Sequence, residues 1–264
     1  MTSPGPPTDV CRAFGASGEP ERLAGGKGGT WRVGDIVLKP SEGDDEARWR
    51  AGVLAALPES PHFTVARPVR AADGDWLSHG WEATGLLPGQ PDPKRPDDVI
   101  RVGVAFHEAV ARVARPAFLD NRANPWANGD RLAWGDPDAP RRPSVLLDKL
   151  LAARRPVRLP QQIVHGDLLG NVLFAGDARP VVIDWPPYWR PVAWASAVAV
   201  VDAMVWHGFD LALARRWEHL PEWGQMLLRA AIYRLGTWDA AGWAGEPEDA
   251  YRPVVGDLVD YVSG

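Results

Sequence analysis

Two segments decide the fold of this chain: Ile163-Val164-His165-Gly166-Asp167-Leu168-Leu169-Gly170-Asn171 and Val181-Val182-Ile183-Asp184-Trp185. Each segment joins a short apolar run to acidic or amide side chains. Ile163 and Val164 predict a strand that ends at the loop carrying Asp167. The polar groups therefore follow predicted strands directly, on loops that a rigid scaffold positions.

A β-hairpin is predicted between the two segments. The strands 172–175 and 180–183 flank Gly176-Asp177-Ala178-Arg179, a composition typical of a turn. If Ala175 pairs with Pro180, Asn171 lies opposite Asp184, with Cβ atoms roughly 5 Å apart. Two oxygen ligands at that spacing suit Mg²⁺, which keeps waters and takes further oxygens from phosphate. Asp167 lies close enough to orient a nucleophile, so the pattern predicts phosphoryl transfer.

These motifs resemble the signature of the aminoglycoside phosphotransferase family, in the protein-kinase-like superfamily: His-Gly-Asp, a loop, an Asn, a hairpin and Ile-Asp-Trp. The resemblance implies an α+β, bilobal protein-kinase-like fold. Its N-lobe would be small and β-rich with one helix, and its larger, helical C-lobe would carry the catalytic hairpin. It also implies that Asp167 is the catalytic base and that Asn171 and Asp184 hold magnesium.

Two departures from the family pattern bear on activity. The family usually has four residues between the base and the Asn, whereas Leu168, Leu169 and Gly170 supply three here. Gly170 permits an unusual backbone angle, so the loop can still place Asn171; it can equally misplace it and leave a nucleotide binder with little turnover. Relatives also have a bracing Asp soon after Ile-Asp-Trp, and here no Asp appears before Asp202.

The composition permits such an enzyme without demanding it. The chain has 264 residues, 45% hydrophobic and 24% charged, which suits one large or two modest domains. A net charge of −5 gives no electrostatic case for nucleic acid or anionic membranes as partners. Cys11 is the only cysteine and no signal peptide is recognised, so a cytoplasmic location is expected. The sequence leaves the oligomeric state open.

The N-terminal third predicts a nucleotide-binding lobe. Residues 31–33 and 36–39 form a hairpin around Gly34-Asp35, a type II′ turn, which puts Lys39 below a glycine-rich loop at 23–30. Val37 and Lys39 share one strand face, where an apolar side chain covers a purine and an ammonium meets phosphate. Flexible glycine loops without this role are common, but here the backbone N–H groups of four glycines are expected to approach phosphates: Gly25, Gly26, Gly28 and Gly29.

A helix predicted over residues 41–57 supplies the expected partner of Lys39. Trp49, Val53 and Leu57 form one face of it, and Glu46 lies one turn earlier. Glu46 is the candidate for the Lys–Glu pair that the kinase fold requires. The alternative is a first-turn acid favoured by the helix dipole, as are Glu42, Asp44 and Asp45.

The segment 81–89 resembles the connector between lobes in this superfamily. Backbone groups from Glu82 to Thr84 would then hydrogen-bond an adenine edge. The proline-rich residues 88–96 mark the lobe boundary. The predicted organisation is a flexible N-terminus at 1–15, an N-lobe at 16–88 and a C-lobe at 89–264.

Beyond Asp97 the pattern is helical apart from the catalytic hairpin. Helices are expected near 143–154, 192–207, 210–218, 222–240 and 247–262, with an irregular excursion over 116–142. The aromatic segment 185–194 departs most from relatives of the family. Four of its residues are predicted to form a rigid wall for a flat or apolar acceptor, although the rings could instead pack internally: Tyr188, Trp189, Arg190 and Trp194.

The predicted function is Mg²⁺-dependent transfer of the γ-phosphate of ATP or GTP to a hydroxyl of a small molecule or peptide. A polycationic aminoglycoside is not the expected acceptor, because the acidic residues of the C-terminal part are scattered. The alternative from another class is a catalytically weak, nucleotide-binding regulatory protein that resembles a pseudokinase. A metal hydrolase built on His165, Asp167 and Asp184 comes third, since no further His cluster supports it.

Overall fold

The computed structural model describes residues 4–23, 28–242 and 247–263. The helices are α1 (Thr8–Ala13), α2 (Asp44–Ala56), α3 (Pro96–Val110), α4 (Pro125–Trp134), α5 (Val145–Ala153), α6 (Val192–His207), α7 (Leu211–Arg216), α8 (Trp223–Ala241) and α9 (Pro247–Ser263). The strands are β1 (Glu21–Arg22), β2 (Trp31–Val33), β3 (Ile36–Pro40), β4 (Thr64–Val65), β5 (Leu77–Ser78), β6 (Trp81–Gly85), β7 (Gln90–Pro91), β8 (Gln162–His165), β9 (Val172–Phe174), β10 (Val181–Val182) and β11 (Pro187–Arg190).

The chain divides into two compact units. One comprises residues 1–90 with 173–184, and the other residues 91–172 with 185–264. The first boundary lies close to the one predicted at residue 88. The assignment of all of 89–264 to one lobe needs correction, because 173–184 belongs to the first unit. Its strand β10 pairs in parallel with β4, Val181 lying in register with Thr64.

The first unit contains an antiparallel sheet in the order β1-β2-β3-β6-β5. Its β2–β3 hairpin has the predicted register, with Val33 opposite Ile36. Gly34 has φ +61, and a Cβ there would lie 2.6 Å from the carbonyl oxygen of Ser17. This turn therefore requires glycine for its backbone angle and for space.

The N-terminal residues are ordered in a way the sequence analysis did not anticipate. Residues 1–15 were expected to be flexible, but α1 is helical and Val10 and Phe14 are buried. They pack in one apolar cluster with Val33, Leu38 and Trp81. Val10 and Phe14 lie one helical turn apart, so one short helix can cover the sheet with both.

Helix α2 forms as predicted but buries a different face. Ala47 and Ala51 are buried, whereas Trp49 and Val53 are only half-buried. Leu57, predicted on the same face as Trp49, is buried. Small side chains spaced four residues apart let this helix lie close to its neighbours, which is why the larger side chains turn outward.

A second sheet has the strand order β4-β10-β9-β7. Strands β9 and β10 are neighbours in it, so the predicted hairpin is present, in a shorter form. Its turn is closed by a hydrogen bond from the N–H of Ala178 to the carbonyl of Ala175, at 3.0 Å. Asn171 directly precedes β9, and Asp184 follows β10 after one intervening residue.

The second unit is built around α6 and α8. Residues from Ala193 to Met204 are buried all round α6, as expected for an apolar central helix. The excursion predicted at 116–142 contains a regular helix, α4, which Asn124 caps at its N-terminus by accepting from the N–H of Ala127. Glycine explains its close approach to α8, since a Cβ on Gly129 would lie 2.4 Å from the carbonyl oxygen of Tyr233. Among the described residues, no helix is both long enough and apolar enough to cross a membrane.

Candidate active site

The loop that carries Asp167 is supported by the aromatic strand β11. Strand β8 ends at His165, which lies in register with Pro187 of β11, and the N–H of Gly166 donates to the carbonyl of Pro186 at 3.1 Å. A Cβ on Gly166 would lie 2.3 Å from the Tyr188 ring. The glycine of His-Gly-Asp is therefore required by the packing of an aromatic ring against the loop.

Two histidines hold the backbone on either side of this glycine. The N–H of Asp167 donates to Nδ1 of His165 at 3.1 Å, and the N–H of His165 donates to Nε2 of His107 at 3.0 Å. Burial, together with the neighbouring His165, lowers the pKa of His107 to about 3. His107 is therefore neutral near pH 7 and can accept this bond.

The shortened loop does bring Asn171 onto Asp167. Nδ2 of Asn171 donates to the carbonyl oxygen of Asp167 at 2.7 Å and to its Oδ2 at 3.2 Å. Gly170 has φ +91, and the N–H of Asn171 donates to the carbonyl of Leu168 at 2.9 Å. Gly170 thus supplies the left-handed angle that a loop one residue shorter requires.

A buried ion pair behind the loop was missed by the sequence analysis. Arg234 of α8 donates to Oδ1 of Asp167 at 2.5 Å and to both carboxylate oxygens of Asp202 on α6, at 2.8 and 2.5 Å. Burial raises the pKa of Asp202. Burial opposes the charge of Arg234, but Asp202 and Asp167 outweigh it and raise the pKa of this guanidinium. Asp202 is thus linked through Arg234 to the loop that carries Asp167.

One sequence signal could have identified this pair. Asp202 is the single carboxylate in the apolar helix α6, and Arg234 lies in the largely buried helix α8. A charge inside a buried helix requires a partner of opposite sign, because an unpaired buried charge is costly. No local sequence pattern predicts that these two residues pair with each other.

In the first unit, Lys39 lies within a cluster of alternating charges. Its ammonium forms an ion pair with Asp184 and lies 3.8 Å from Oε1 of Glu82. Both oxygens of Glu82 accept from Nη2 of Arg50 at 2.7 Å, and Nη1 of Arg50 lies 3.6 Å from Glu46. Burial opposes the charge of Arg50, but these carboxylates raise its pKa. Glu46 is the predicted partner of Lys39. It lies one helical turn from Arg50, and Arg50 links it to Glu82.

The backbone at Asp184 is unusual. Asp184 has φ +46, in the left-handed region that few residues other than glycine adopt, and its side chain is 50% exposed. The next residue is anchored, since Nε1 of Trp185 donates to the carbonyl of Val164 at 3.1 Å. Non-glycine residues in this conformation occur often at functional sites, and Asp tolerates it better than most.

The other residues predicted to bind nucleotide lie on strand β3, at the end of the glycine-rich segment, or outside the described residues. Val37 and Lys39 follow one another on one face of β3, with Leu38 buried on the other. Gly28 has φ +72, and its carbonyl accepts from Nε of Arg22 at 2.8 Å; Gly29 follows directly. The predictions for Gly25 and Gly26 fall outside the described residues.

The sequence analysis expected Glu82 and Thr84 to lie in a connector between lobes, but the structure places them elsewhere. Both belong to β6, in register with Lys39 and Val37 of β3. Thr84 also bridges to Pro68 on the other side. The backbone groups of an interior strand pair with the neighbouring strands. The prediction that the backbone of Glu82 to Thr84 hydrogen-bonds an adenine edge therefore needs correction.

The donor atoms at Asn171 and Asp184 suit magnesium chemically. Because Nδ2 of Asn171 is held by two bonds to Asp167, its carbonyl Oδ1 is the atom left to act as a ligand. Asp184 adds a half-exposed carboxylate. Both are hard oxygen donors, and Mg²⁺ is usually bound by one or two such groups with waters and substrate phosphates.

The third alternative, a metal hydrolase, receives no support from this geometry. The described part of the chain has no group of three or more His, Cys, Asp or Glu placed to hold a metal ion. His165 is fully buried, and its Nδ1 accepts from the backbone of Asp167.

The predicted aromatic wall is partly wrong. Trp194 is fully buried and contacts Tyr188, Tyr233 and Trp134 edge-on, so it packs internally. The hydroxyl of Tyr188 is 3.0 Å from that of Tyr233. Three of the four residues do line a cavity of about 230 Å³, together with side chains from 115–131: Tyr188, Trp189 and Arg190.

Comparisons with known proteins bear on the fold. No protein-family model matches the chain, and no curated protein matches it. An aminoglycoside phosphotransferase from Alicyclobacillus acidocaldarius subsp. acidocaldarius DSM 446 is similar over 99% of this chain and 95% of that one, with a TM-score of 0.63 and 18% identity. The apo form of a thermostable mutant of aminoglycoside phosphotransferase APH(4)-Ia gives a TM-score of 0.61 and 15% identity over 96% of each chain. A choline/ethanolamine kinase family protein from Mesorhizobium loti gives 0.52 and 19%, over 94% and 93%.

These matches extend over nearly the whole chain at low identity, so they establish the fold. The predicted resemblance is confirmed at that level, as is the α+β class, with a β-rich N-terminal part and a larger helical C-terminal part. The chain therefore has the protein-kinase-like fold of the aminoglycoside phosphotransferases.

Proposed function

We propose that this protein is a divergent member of the aminoglycoside phosphotransferase family that transfers the γ-phosphoryl group of a purine nucleotide to a hydroxyl. The observation that carries the proposal is the pair of hydrogen bonds that Nδ2 of Asn171 donates to Asp167. It fixes a carboxylate for the acceptor and leaves an amide oxygen for magnesium within one short loop. Structures of similar fold contain ADP or AMP-PNP with hygromycin B, which supports a nucleotide and a small-molecule acceptor.

The roles follow from the chemistry of each group. Asp167 orients the acceptor hydroxyl and takes its proton. Asn171 and Asp184 hold Mg²⁺, which when bound neutralises charge on the phosphate oxygens. Lys39 steadies the phosphates, and Glu82, Arg50 and Glu46 hold Lys39 in place. Positioning and charge neutralisation supply most of the catalysis in such a loose transition state.

The purine is proposed to lie against Val37, beside Gly28 and Gly29. Because β6 is an interior strand, the backbone contact to adenine is proposed to come after it, from residues 86–89. The acceptor is proposed to occupy the cavity beside Tyr188, Trp189 and Arg190.

One observation favours the second candidate, a nucleotide-binding protein with little turnover. Arg234 and Asn171 each donate to one oxygen of Asp167, so both oxygens already accept a hydrogen bond. Each oxygen has a second lone pair, and the side chain is 40% exposed, so an acceptor hydroxyl can still be bound. Turnover therefore separates the two candidates, since both bind nucleotide.

The test combines nucleotide binding with turnover. Melting temperature is measured with ATP or GTP, Mg²⁺, and both together; at a hundred times Kd, binding adds about 2.7 kcal/mol to stability. Asp184→Ala should lose the metal-dependent increase, whereas Asp167→Ala should keep it and lose turnover by about 10²-fold or more. Asp177→Ala is the matched control, an exposed carboxylate in the turn of the same hairpin. No stabilisation by any purine triphosphate would end both candidates, and equal turnover in Asp167→Ala would show that the base is misassigned.

A further inference from the structure

Arg234 binds two carboxylates at once, and the geometry of its hydrogen bonds is directional. Its Nε donates to Oδ1 of Asp202 at 2.8 Å and its Nη2 to Oδ2 at 2.5 Å, so the two planar groups meet side by side. Such a two-point contact fixes the plane of the guanidinium. The second hydrogen of Nη2 is then directed at Oδ1 of Asp167, 2.5 Å away. Asp202 therefore determines where Arg234 points, and Arg234 determines where that oxygen of Asp167 lies.

The residue next to Arg234 supports the same loop by packing. Tyr233 is fully buried, and its hydroxyl lies 3.0 Å from the hydroxyl of Tyr188. The Tyr188 ring packs so closely on the loop that a Cβ on Gly166 would lie 2.3 Å from it. Two consecutive residues of α8 thus support the loop that carries Asp167, one through aromatic rings and one through a guanidinium.

Arg234 holds the Asp167 carboxylate more firmly than the loop itself does. Nδ2 of Asn171 donates to Oδ2 of Asp167 at 3.2 Å, which is at the long end of the range for such bonds. The bond from Arg234 is shorter and joins two charged groups, so it is the stronger of the two. The side chain of Arg234 is 14% exposed against 40% for Asp167. The direction of this carboxylate therefore depends mainly on Arg234.

We propose that Arg234, oriented by Asp202, is a positioning residue that holds the Asp167 carboxylate in the direction needed to meet the acceptor hydroxyl. The inference rests on the proposed function, because it names how the base of that reaction is oriented. In that reaction the O–H bond of the acceptor breaks and its proton passes to Asp167. The acceptor oxygen bonds to the γ-phosphorus, and the bond to the nucleoside diphosphate breaks, leaving its electron pair on the diphosphate. A misplacement of about 1 Å in such a group can lower the rate about 10²-fold.

The opposite role for Arg234 is inhibition. A guanidinium that occupies one oxygen of the base would favour the second candidate, a nucleotide-binding protein with little turnover. The two roles predict changes of opposite sign when Arg234 is replaced. Loss of a positioning residue lowers kcat, whereas release of a blocked oxygen raises it.

The first experiment measures hydrolysis of Mg²⁺-ATP and Mg²⁺-GTP by the full chain, with water as the acceptor. Arg234→Lys keeps a positive charge beside Asp202 but replaces the planar fork with a single ammonium. It should lower kcat about 10-fold or more and change the KM for nucleotide less than about 2-fold, because a positioning residue acts on the transition state rather than on nucleotide binding. A kcat equal to or above that of the unmutated protein would overturn the proposal.

Arg216→Lys is the matched control. Arg216 of α7 binds Asp97 of α3 through Nε and Nη2, at 3.2 and 2.8 Å, in the same two-point manner. This pair does not contact the loop of Asp167, so its substitution should leave kcat and KM unchanged. A loss of kcat as large as that of Arg234→Lys would show that any weakened helix–helix pair lowers turnover, which contradicts a specific role for Arg234.

A double variant separates positioning from stability. Arg234→Met/Asp202→Leu replaces both charges with apolar side chains and should recover much of the stability that Arg234→Met loses. Positioning predicts that kcat of the double variant stays about 10-fold or more below that of the unmutated protein. Urea unfolding is measured on the same preparations. A kcat that returns together with stability would show that Arg234 is merely structural.

Hydrogen exchange decides the inference if the unmutated protein hydrolyses no nucleotide, an outcome that would contradict the proposed function. The N–H of Asp167 bonds to His165 and the N–H of Asn171 to Leu168, so both report on the order of the loop. In the double variant these two amides should exchange about 10-fold faster or more, whereas the amides of β8 should follow global stability. Unchanged exchange of both loop amides would then overturn the positioning role.

Discussion

Nη2 of Arg234 lies 2.5 Å from Oδ1 of Asp167, so the candidate base is held from the interior of the helical unit as well as by its own loop. The same guanidinium binds Asp202, which is buried on α6. One side chain therefore links the chemistry of the loop to the packing of α6 against α8.

Arg234→Met should destabilise the protein strongly. It leaves Asp202 buried without its partner, and breaking a buried pair costs about 3–5 kcal/mol. Urea unfolding measures the loss. The double variant Arg234→Met/Asp202→Leu should recover much of it, because apolar residues replace both charges. Arg101→Met, which breaks an exposed pair with Asp98, should cost at most about 1 kcal/mol. A loss no larger than that control would refute the buried-pair account.

The free energy of unfolding should fall as pH falls below 6.5, in part through His107. Its pKa is about 3 in the folded protein, below its ordinary 6.5, so the unfolded chain binds the proton more readily in between. The stability that neutral His107 contributes is fully present above pH 6.5. It is lost at about 1.4 kcal/mol per pH unit until pH approaches 3. His107→Gln should remove this component. Identical pH dependence in both proteins, measured by denaturant unfolding at each pH, would contradict the assignment.

Gly166→Ala should destabilise the loop that carries Asp167 through steric overlap alone. The added methyl would lie 2.3 Å from the Tyr188 ring, and overpacking of this kind costs about 1–3 kcal/mol. Gly52→Ala is the matched control: it lies inside α2, and a Cβ there meets nothing within 4 Å. The control should gain about 0.5–1 kcal/mol, because alanine is the better helix former. If thermal unfolding shows that both variants are more stable than the unmutated protein, or that both are less stable, this explanation is wrong.

The two tryptophans of the aromatic segment should behave differently. Trp194→Ala removes a fully buried ring and should cost about 3–5 kcal/mol of stability. Trp189→Ala should cost less, because Trp189 is only partly buried and lines the cavity. Urea unfolding of both variants measures the difference. An equal loss of stability in the two variants would contradict this difference in burial.

Local sequence patterns were sufficient for most of the fold. The β2–β3 hairpin has its predicted register, and the helix predicted at 192–207 has those same ends. Turn glycines and apolar periodicity act between neighbouring residues, so they can be recognised without the rest of the chain. The role of Gly170 was foreseen for the same reason, since a loop that is one residue short requires a backbone angle that glycine supplies.

The charge networks could not be predicted in this way. Arg50 and Glu82 are 32 positions apart, and Arg234 and Asp167 are 67 apart. Such pairs depend on how helices dock, which periodicity within one helix does not encode. Helix α4 was not predicted for another reason: residues 116–142 contain several prolines and glycines, which are typical of loops. Here proline starts the helix and glycine permits its contact with α8.

The antiparallel register of β8 and β11 restricts how this protein can acquire a new specificity. Trp189 and Arg190 line the cavity and are also paired, residue by residue, with Ile163 and Gln162 of the strand that leads to Asp167. A one-residue insertion or deletion in residues 186–191 would turn the side chains of β11 that lie beyond it to the opposite face and shift the support of the loop that carries Asp167. Natural or laboratory selection for another acceptor should therefore accumulate side-chain exchanges in this strand and keep its length constant, while changes of length are confined to the segments 111–124 and 135–143.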